Sequence, residues 1–352
     1  MLRIAGLALL ILMLGLATPV AAQTDDSPPE PSAEFLAATE LLESDPAVAR
    51  EQLEGLADNG DLFAMNLLGG ILMAGREADP VRAESLFRKA IALGDDAARL
   101  NLGTHILAGT LDGDPVEALA LIDAITDELL LPYTAYPRAR AYLFGLGVPQ
   151  DLALGSALII EAAARSPDNL DARFLAGRAL MNGWGIPADP AAAREHLRYA
   201  ADRGVAAAQW NLGMLLLEGE GGPADPVEAR RYVRMAAESG FYQGQISMAV
   251  MLALGQGGPV DEAEARDWYG RAADQGSAHG MRGLGMMLLL GQGGPEDPVL
   301  GWALLELAAG AGDPNAAKLI ELFLAEGYKP DREAVDEARR YTVSRTGEPW
   351  LE

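Results

Sequence analysis

Glycine returns on a fixed beat in this chain. Pairs six residues apart occur at Gly69/Gly75, Gly103/Gly109, Gly177/Gly183, Gly213/Gly219 and Gly285/Gly291, and alanine takes the first place in Ala139/Gly145 and Ala249/Gly255. The pairs start 34, 36 or 38 residues apart, and most often 36. A period of this length marks an array of supersecondary units, each too small to bury its apolar face alone. It displaces the two-domain reading that 352 residues would otherwise invite. A second landmark keeps the same time. Gly60, Gly94, Gly204, Gly240, Gly276 and Gly312 close the segments LADNG, AIALG, AADRG, AAESG, AADQG and AAGAG.

Each unit reads as two helices. Helix A runs from an alanine-rich start to the second glycine of the pair, and helix B runs from an Asp-Pro step to the closing glycine. Asp79-Pro80, Asp114-Pro115, Asp189-Pro190, Asp225-Pro226 and Asp297-Pro298 place a capping carboxylate before a proline at the first helical position, where its missing N–H costs nothing. In Asp114-Pro-Val-Glu117 and Asp225-Pro-Val-Glu228 the glutamate completes a capping-box-like pattern. Glycine past the last alanine-rich turn supplies the C-terminal cap. Ala208, Leu212 and Leu216 fall four apart and predict a buried stripe on helix A. Ala200-Ala201, Ala236-Ala237 and Ala272-Ala273 let neighbouring helices approach closely. No alternating strand pattern occurs, and the chain is expected to be all-α.

The units AAQWNLGMLLLEGEGGPADPVEARRYVRMAAESG, GMRGLGMMLLLGQGGPEDPVLGWALLELAAGAG and FLAGRALMNGWGIPADPAAAREHLRYAADRG share Leu-Gly, Gly-x-Gly, Asp, Ala and Ala-Ala-x-x-Gly landmarks. In these the chain resembles the Sel-one-like repeat (SLR) family, relatives of the tetratricopeptide repeats, over roughly residues 45–345. Ala249 replaces a family glycine, and the region 110–170 matches poorly. The resemblance implies a right-handed α/α superhelical solenoid of about eight to nine antiparallel two-helix repeats, whose helix A side chains line a concave face used for protein binding. Bacterial members of this kind are typically exported or envelope-associated adaptors, which makes this chain an expected non-enzymatic scaffold for a protein or peptide partner. Fold likeness does not name the partner.

The segments outside the array carry their own signals. Residues 1–22 combine a basic start at Arg3, an apolar run from Ile4 to Leu16 and small residues at Val20-Ala21-Ala22, the pattern of a cleavable signal peptide. Export to the periplasm is the expectation, with release to the medium as the alternative. No later apolar run is long enough to span a bilayer. Residues 23–33 read as a disordered proline-rich tether, 34–345 as the solenoid, irregular around 110–170, and 346–352 as a C-terminal tail. In the irregular stretch Pro132 and Pro137 intrude, and Ser166-Pro167 stands where a closing glycine is usual.

Removing residues 1–22 takes away Arg3 and no acid, so 26 basic residues face 51 acidic ones. That balance argues against nucleic acid and anionic lipid surfaces. It suits a basic partner, and a solvated acidic surface that keeps the protein soluble accounts for it equally. The absence of cysteine removes disulfide, zinc-thiolate and thiol chemistry.

Gly219-Glu-Gly-Gly-Pro223, Gly255-Gln-Gly-Gly-Pro259 and Gly291-Gln-Gly-Gly-Pro295 resemble phosphate cradles, but no strand precedes them and no Gly-Lys-Ser/Thr follows. His105, His196 and His279 occupy different repeat positions and lack metal-ligand spacing. Neither a Gly-x-Ser-x-Gly elbow nor an Asp-x-Asp-x-Asp-Gly calcium loop is present. No cofactor, metal or catalytic residue is expected; a peptidoglycan- or glycan-associated cell-wall protein or enzyme is the competing function. By analogy with tetratricopeptide arrays, the positions three before and one after the first glycine face the partner. They hold Phe174 and Arg178, Trp210 and Met214, Ile246 and Val250, and Arg282 and Met286. Aromatic, methionine and arginine side chains suit an interface hot spot. Packing between adjacent repeats is the alternative role for the same side chains.

Overall fold

The computed structural model describes residues 30–74 and 78–346, with side chains through residue 339. The expected signal segment, residues 23–29 of the tether, Gly75 and the tail after 346 lie outside the described residues. Every regular element among the described residues is helical, and none is a strand. The chain divides into two compact units, Met1–Ser166 and Pro167–Glu352. The division falls at the Ser166-Pro167 step, where the closing glycine is missing.

The first unit holds α1 (Ala33–Ser44), α2 (Pro46–Asp58), α3 (Leu62–Leu72), α4 (Pro80–Ala92), α5 (Asp96–Ala108), α6 (Pro115–Asp123), α7 (Ala135–Phe144) and α8 (Leu152–Arg165). The second holds α9 (Leu170–Asn182), α10 (Pro190–Ala201), α11 (Ala206–Glu218), α12 (Pro226–Glu238), α13 (Tyr242–Leu254), α14 (Glu262–Asp274), α15 (Ala278–Leu290), α16 (Pro298–Gly310), α17 (Pro314–Ala325) and α18 (Arg332–Thr346). Odd-numbered helices are the A members and even-numbered ones the B members; the A/B pairs from α1/α2 to α15/α16 pack as hairpins, and α17 and α18 each pack on α16. These hairpins are the two-helix repeats that the glycine period predicts. Helix α1 begins one residue inside the expected tether, because Ser32 accepts the Phe35 N–H at 3.1 Å and donates to Asp61 at 3.0 Å.

Local chemistry sets the ends. Asp79, Asp189, Asp225 and Asp297 accept the amides of Arg82, Ala192, Glu228 and Leu300 at 2.9–3.0 Å. The capping-box reading is corrected. Glu228 reaches Arg198 at 3.2 Å and Glu117 reaches Arg88 at 2.7 Å, each on the preceding B helix. Asp225 gives its own amide to Leu216 O at 2.8 Å instead. An arginine one repeat away takes the carboxylate, since there both partners are charged, and the Asp225 cap amide is already satisfied by Leu216 O.

The first glycine of each pair marks where helices A and B cross. A Cβ on Gly213 would lie 2.6 Å from Val233, and one on Gly177 would lie 2.6 Å from Leu197. Alanine is tolerated at the two exceptions because the partner gives way. Opposite Ala139, α8 carries Gly155, where a Cβ would meet Leu143 at 2.8 Å. In the Ala249 repeat, Tyr269 stands at the register of Val233 and is turned onto Gly283 of the following A helix, within 2.4 Å of where a Cβ would be.

Helix α6 stops at Asp123 after nine residues, and a 3-10 turn, Leu131–Thr134, leads into α7. The Asp96 carboxylate accepts the amides of Thr126 at 2.7 Å and Asp127 at 2.9 Å, and it holds this connection against α5. Pro132 lies in the 3-10 turn and Pro137 in the first turn of α7, positions that need no proline N–H.

Beside it, Asp95 caps α5 through the Ala97 amide at 2.8 Å, while its second oxygen is buried without a partner. Burial pushes this carboxyl from 3.8 to about 6. A raised carboxyl pKa means that the ionised form costs stability, so this group favours the fold below about pH 4 and opposes it as pH rises through 6. Asp96 works the other way: burial opposes its charge, yet the Thr126 and Asp127 amides and Arg99 hold its pKa below the usual carboxylate value. Asp95→Asn keeps a good capping residue without the charge. It is expected to stabilise the first unit by about 1–3 kcal/mol at pH 7.5, with the gain gone near pH 4. Urea unfolding of wild type and variant at the two pH values checks this, and an equal gain at both would refute the assignment to Asp95.

Candidate functional site

The glycine loop that resembles a phosphate cradle is engaged in another way. Gly219 ends α11 in the left-handed region at φ 75°, and Gly221 at φ 76° lies against the start of α10, where a Cβ would be 2.3 Å from the Pro190 carbonyl. Arg194 of α10 donates to the carbonyls of Pro223 at 3.2 Å, Leu215 at 2.8 Å and Gly222 at 3.3 Å. Arg230 and Arg266 repeat the bond on Pro259 O at 3.0 Å and Pro295 O at 2.9 Å. The loop presents carbonyls to a resident guanidinium, so it binds the preceding repeat rather than an anion. The period of Arg194, Arg230 and Arg266 was present in the sequence as the signal for this latch.

The eight predicted contact residues lie on the A helices of the second unit, and all are half-buried. In each helix the two members stand four apart on one face. Helices α11 and α13, and α13 and α15, are neighbours. The face is therefore shared between successive repeats. Its members differ in how far they are engaged. Trp210 donates its Nε1–H to Ser247 of the next A helix at 2.9 Å, and its ring stands 6.0 Å from that of Phe241. Arg282 pairs at 3.2 Å with Asp313, whose side chain is fully buried at the cap of α17. The Arg178 guanidinium lies 5.7 Å from the Phe174 ring and 4.9 Å from Trp184. Met214, Ile246, Val250 and Met286 fill the face between these anchors.

Two further residues complete the face. Leu254 is 65% exposed and Leu290 is 52% exposed, each in the last turn before the glycine that ends its helix. They stand five residues after the first position of the pair, where α9 and α11 carry Asn182 and Glu218. An apolar residue at a register position that is polar in sister repeats was the available signal. Tyr242, 43% exposed, opens α13 beside Phe241.

The titratable groups do not gather into a catalytic set. Burial lowers the pKa of His105, whose Nδ1 is 2.9 Å from Thr110 Oγ1. Burial and the Arg173 charge lower that of His196, 3.4 Å from an Arg173 nitrogen. Among the described residues no three His, Asp or Glu side chains come together to hold a metal ion, and no helix is long and apolar enough to cross a membrane.

Two-helix repeats that present a continuous row of side chains across successive A helices define a helical-repeat interaction scaffold. The chain matches the Sel1 repeat over residues 62–95, 136–166, 170–205, 206–241, 243–277 and 278–313, and it belongs to that family. Helices α5 and α6, with most of the irregular connection, fall outside the matched repeats. Among solved structures it is similar to a Sel1 repeat protein from Oxalobacter formigenes, at 24% identity over 88% of this chain and 98% of that one, with a TM-score of 0.47. It is also similar to a protective antigen present in uropathogenic Escherichia coli strains displaying an SLR fold, at 20% identity over 89% of this chain and 84% of that one, with a TM-score of 0.42. No curated protein matches the chain.

Proposed function

We propose that this protein is an exported, non-enzymatic scaffold that binds a protein or extended peptide along the helix A face of its second unit. The observation that carries the reading is the row of Met214, Val250, Leu254, Met286 and Leu290, apolar side chains left half-buried or exposed on neighbouring helices. Exposed apolar side chains that line up across repeats mark an interaction surface more strongly than single ones do. Trp210 and Arg282, tied into the junctions, hold that surface in one shape, which lowers the ordering cost of binding. The net charge of −24 favours a basic partner and speeds its encounter. The periplasm is the proposed compartment, with the medium as the alternative, on the strength of residues 1–22; cell fractionation decides between them.

A photo-crosslinking residue at position 254 or 290 is expected to trap a partner in living cells, and one at Val227, 69% exposed on α12, is not. Leu254→Glu with Leu290→Glu is then expected to weaken that complex by about 2 kcal/mol, roughly thirtyfold, with the helical spectrum unchanged. Equal trapping at all three positions would place the partner elsewhere.

A further inference from the structure

Three successive junctions of the second unit share an arginine latch that the junction after α6 lacks. In α10, α12 and α14 the fifth residue is Arg194, Arg230 or Arg266, and each reaches into the next glycine loop. The loop leaves room for it: a Cβ on Gly222, Gly258 or Gly294 would lie 2.4–2.9 Å from the guanidinium. Further along, Arg198 of α10 pairs with Glu228 at 3.2 Å and Arg234 of α12 with Glu264 at 2.5 Å, linking successive B helices.

Helix α6 keeps the first part of the register and loses the rest. Gly147 sits on Pro115 as Gly221 sits on Pro190, with a Cβ position 2.6 Å from the Pro115 carbonyl carbon. Yet the latch position holds Leu119, and the loop glycine facing it is replaced by Val148. The ion-pair positions hold Asp123 and Leu154 in place of arginine and glutamate. Where the sister junctions place the latch arginine, this one contains a cavity of about 480 Å³, lined by Leu119, Val148, Leu154 and Leu158 and by the Asp123–Arg138 ion pair. Leu154 remains 41% exposed on its wall. The volume falls within the range of ligand pockets, and aliphatic walls with a few polar groups are the usual lining of such pockets.

We propose that this cavity binds a peptide segment that carries an aliphatic anchor next to a lysine or arginine. The aliphatic walls take the anchor. Arg138 bonds to a single oxygen of Asp123, through its Nε at 3.0 Å and through Nη2. The other Asp123 oxygen therefore accepts a cation where the sister junctions place an arginine of their own. The charge of −24 on the chain favours the same sign of ligand. The site lies in the first unit and does not rest on the helix A reading.

The test builds the latch of the sister junctions into this one. Leu119→Arg with Val148→Gly rebuilds the arginine latch and its glycine, and should fill the cavity while leaving the unfolding midpoint of the full chain at or above that of wild type. The probes are two fluorescein-labelled twelve-residue peptides of identical leucine pattern, one with lysine and one with glutamate at the polar positions, followed by anisotropy. The lysine peptide is expected to bind wild type and to bind the double variant at least tenfold more weakly. Val81→Arg, which adds the same charge at a site 78% exposed, is expected to change nothing. Equal weakening by Val81→Arg, undiminished binding to a folded double variant, or equal binding of the glutamate peptide to wild type would overturn the proposal. Asp123→Asn supplies an independent measurement. It is expected to weaken the lysine peptide and leave the glutamate peptide unchanged, and an unchanged preference between the two peptides would also overturn the site.

Discussion

Replacing Gly257 by alanine is expected to cost the second unit about 3 kcal/mol or more, and the same change at Gly240 only about 1–2 kcal/mol. Both glycines have positive φ, 71° and 84°, so both substitutions carry the conformational cost of a left-handed residue. They differ in their surroundings. A Cβ on Gly240 meets nothing within 4 Å, whereas one on Gly257 would lie 2.0 Å from the Pro226 carbonyl oxygen and 2.7 Å from its carbon. Backbone on both sides of the contact leaves no side chain to rotate away. The loop must lift off α12, and it takes with it the Arg230 bond to Pro259 O. In a repeat array stability is a sum of units and nearest-neighbour junctions, so opening one junction also uncouples what lies on either side. Urea unfolding of Gly257→Ala is therefore expected to shift to lower denaturant and to broaden, while Gly240→Ala shifts with its slope intact. Equal shifts for the two variants would mean that the loop does not hold the repeats together.

That contrast marks what was legible in the sequence. Both glycines stand out there as members of periodic series, and Asp225-Pro226 announces its cap, because such signals are local to a few residues. What separates Gly257 from Gly240 is a contact with Pro226, 31 positions earlier, and only the stacking of repeats creates it. Glu228 was misread for the same reason: its competing partner, Arg198, stands 30 residues back. The offset from the glycine puts the eight candidate contact residues on A helices. That offset says nothing of Ser247 or Asp313, which engage Trp210 and Arg282 from the following repeat. The irregular region was visible as misplaced prolines and a lost glycine, but the cavity beside α6 depends on Leu119 and Val148, each unremarkable alone and informative only against the register of Arg194 and Gly222.

Trp302→Ala is expected to be the most damaging single substitution at the C-terminal end, at about 4 kcal/mol, within the usual range for truncating a buried aromatic side chain. Trp302 occupies the latch position of α16, the fifth residue of the helix, where Arg194, Arg230 and Arg266 stand in the earlier B helices. Helices α17 and α18 both pack on α16, so the side chains of α16 hold the two of them at once. The indole is fully buried, stacks on Tyr328 at 4.9 Å and meets Phe323 edge-on at 6.3 Å. Its Nε1 donates to Glu306 at 2.9 Å, and Glu306 in turn holds Arg332 and Arg339 of α18. Removing the ring takes the central member from the aromatic cluster and frees the carboxylate that anchors the last helix. The loss should be local before it is global: α17 and α18 are expected to detach while the earlier hairpins of the unit stay folded. Limited proteolysis is expected to cut the variant after Gly312, where wild type resists, and hydrogen exchange should show lost protection from residue 314 onward with α11 to α14 unchanged. Uniform loss of protection across the unit would instead make Trp302 part of one cooperative core, and the array would not be the sum of its junctions.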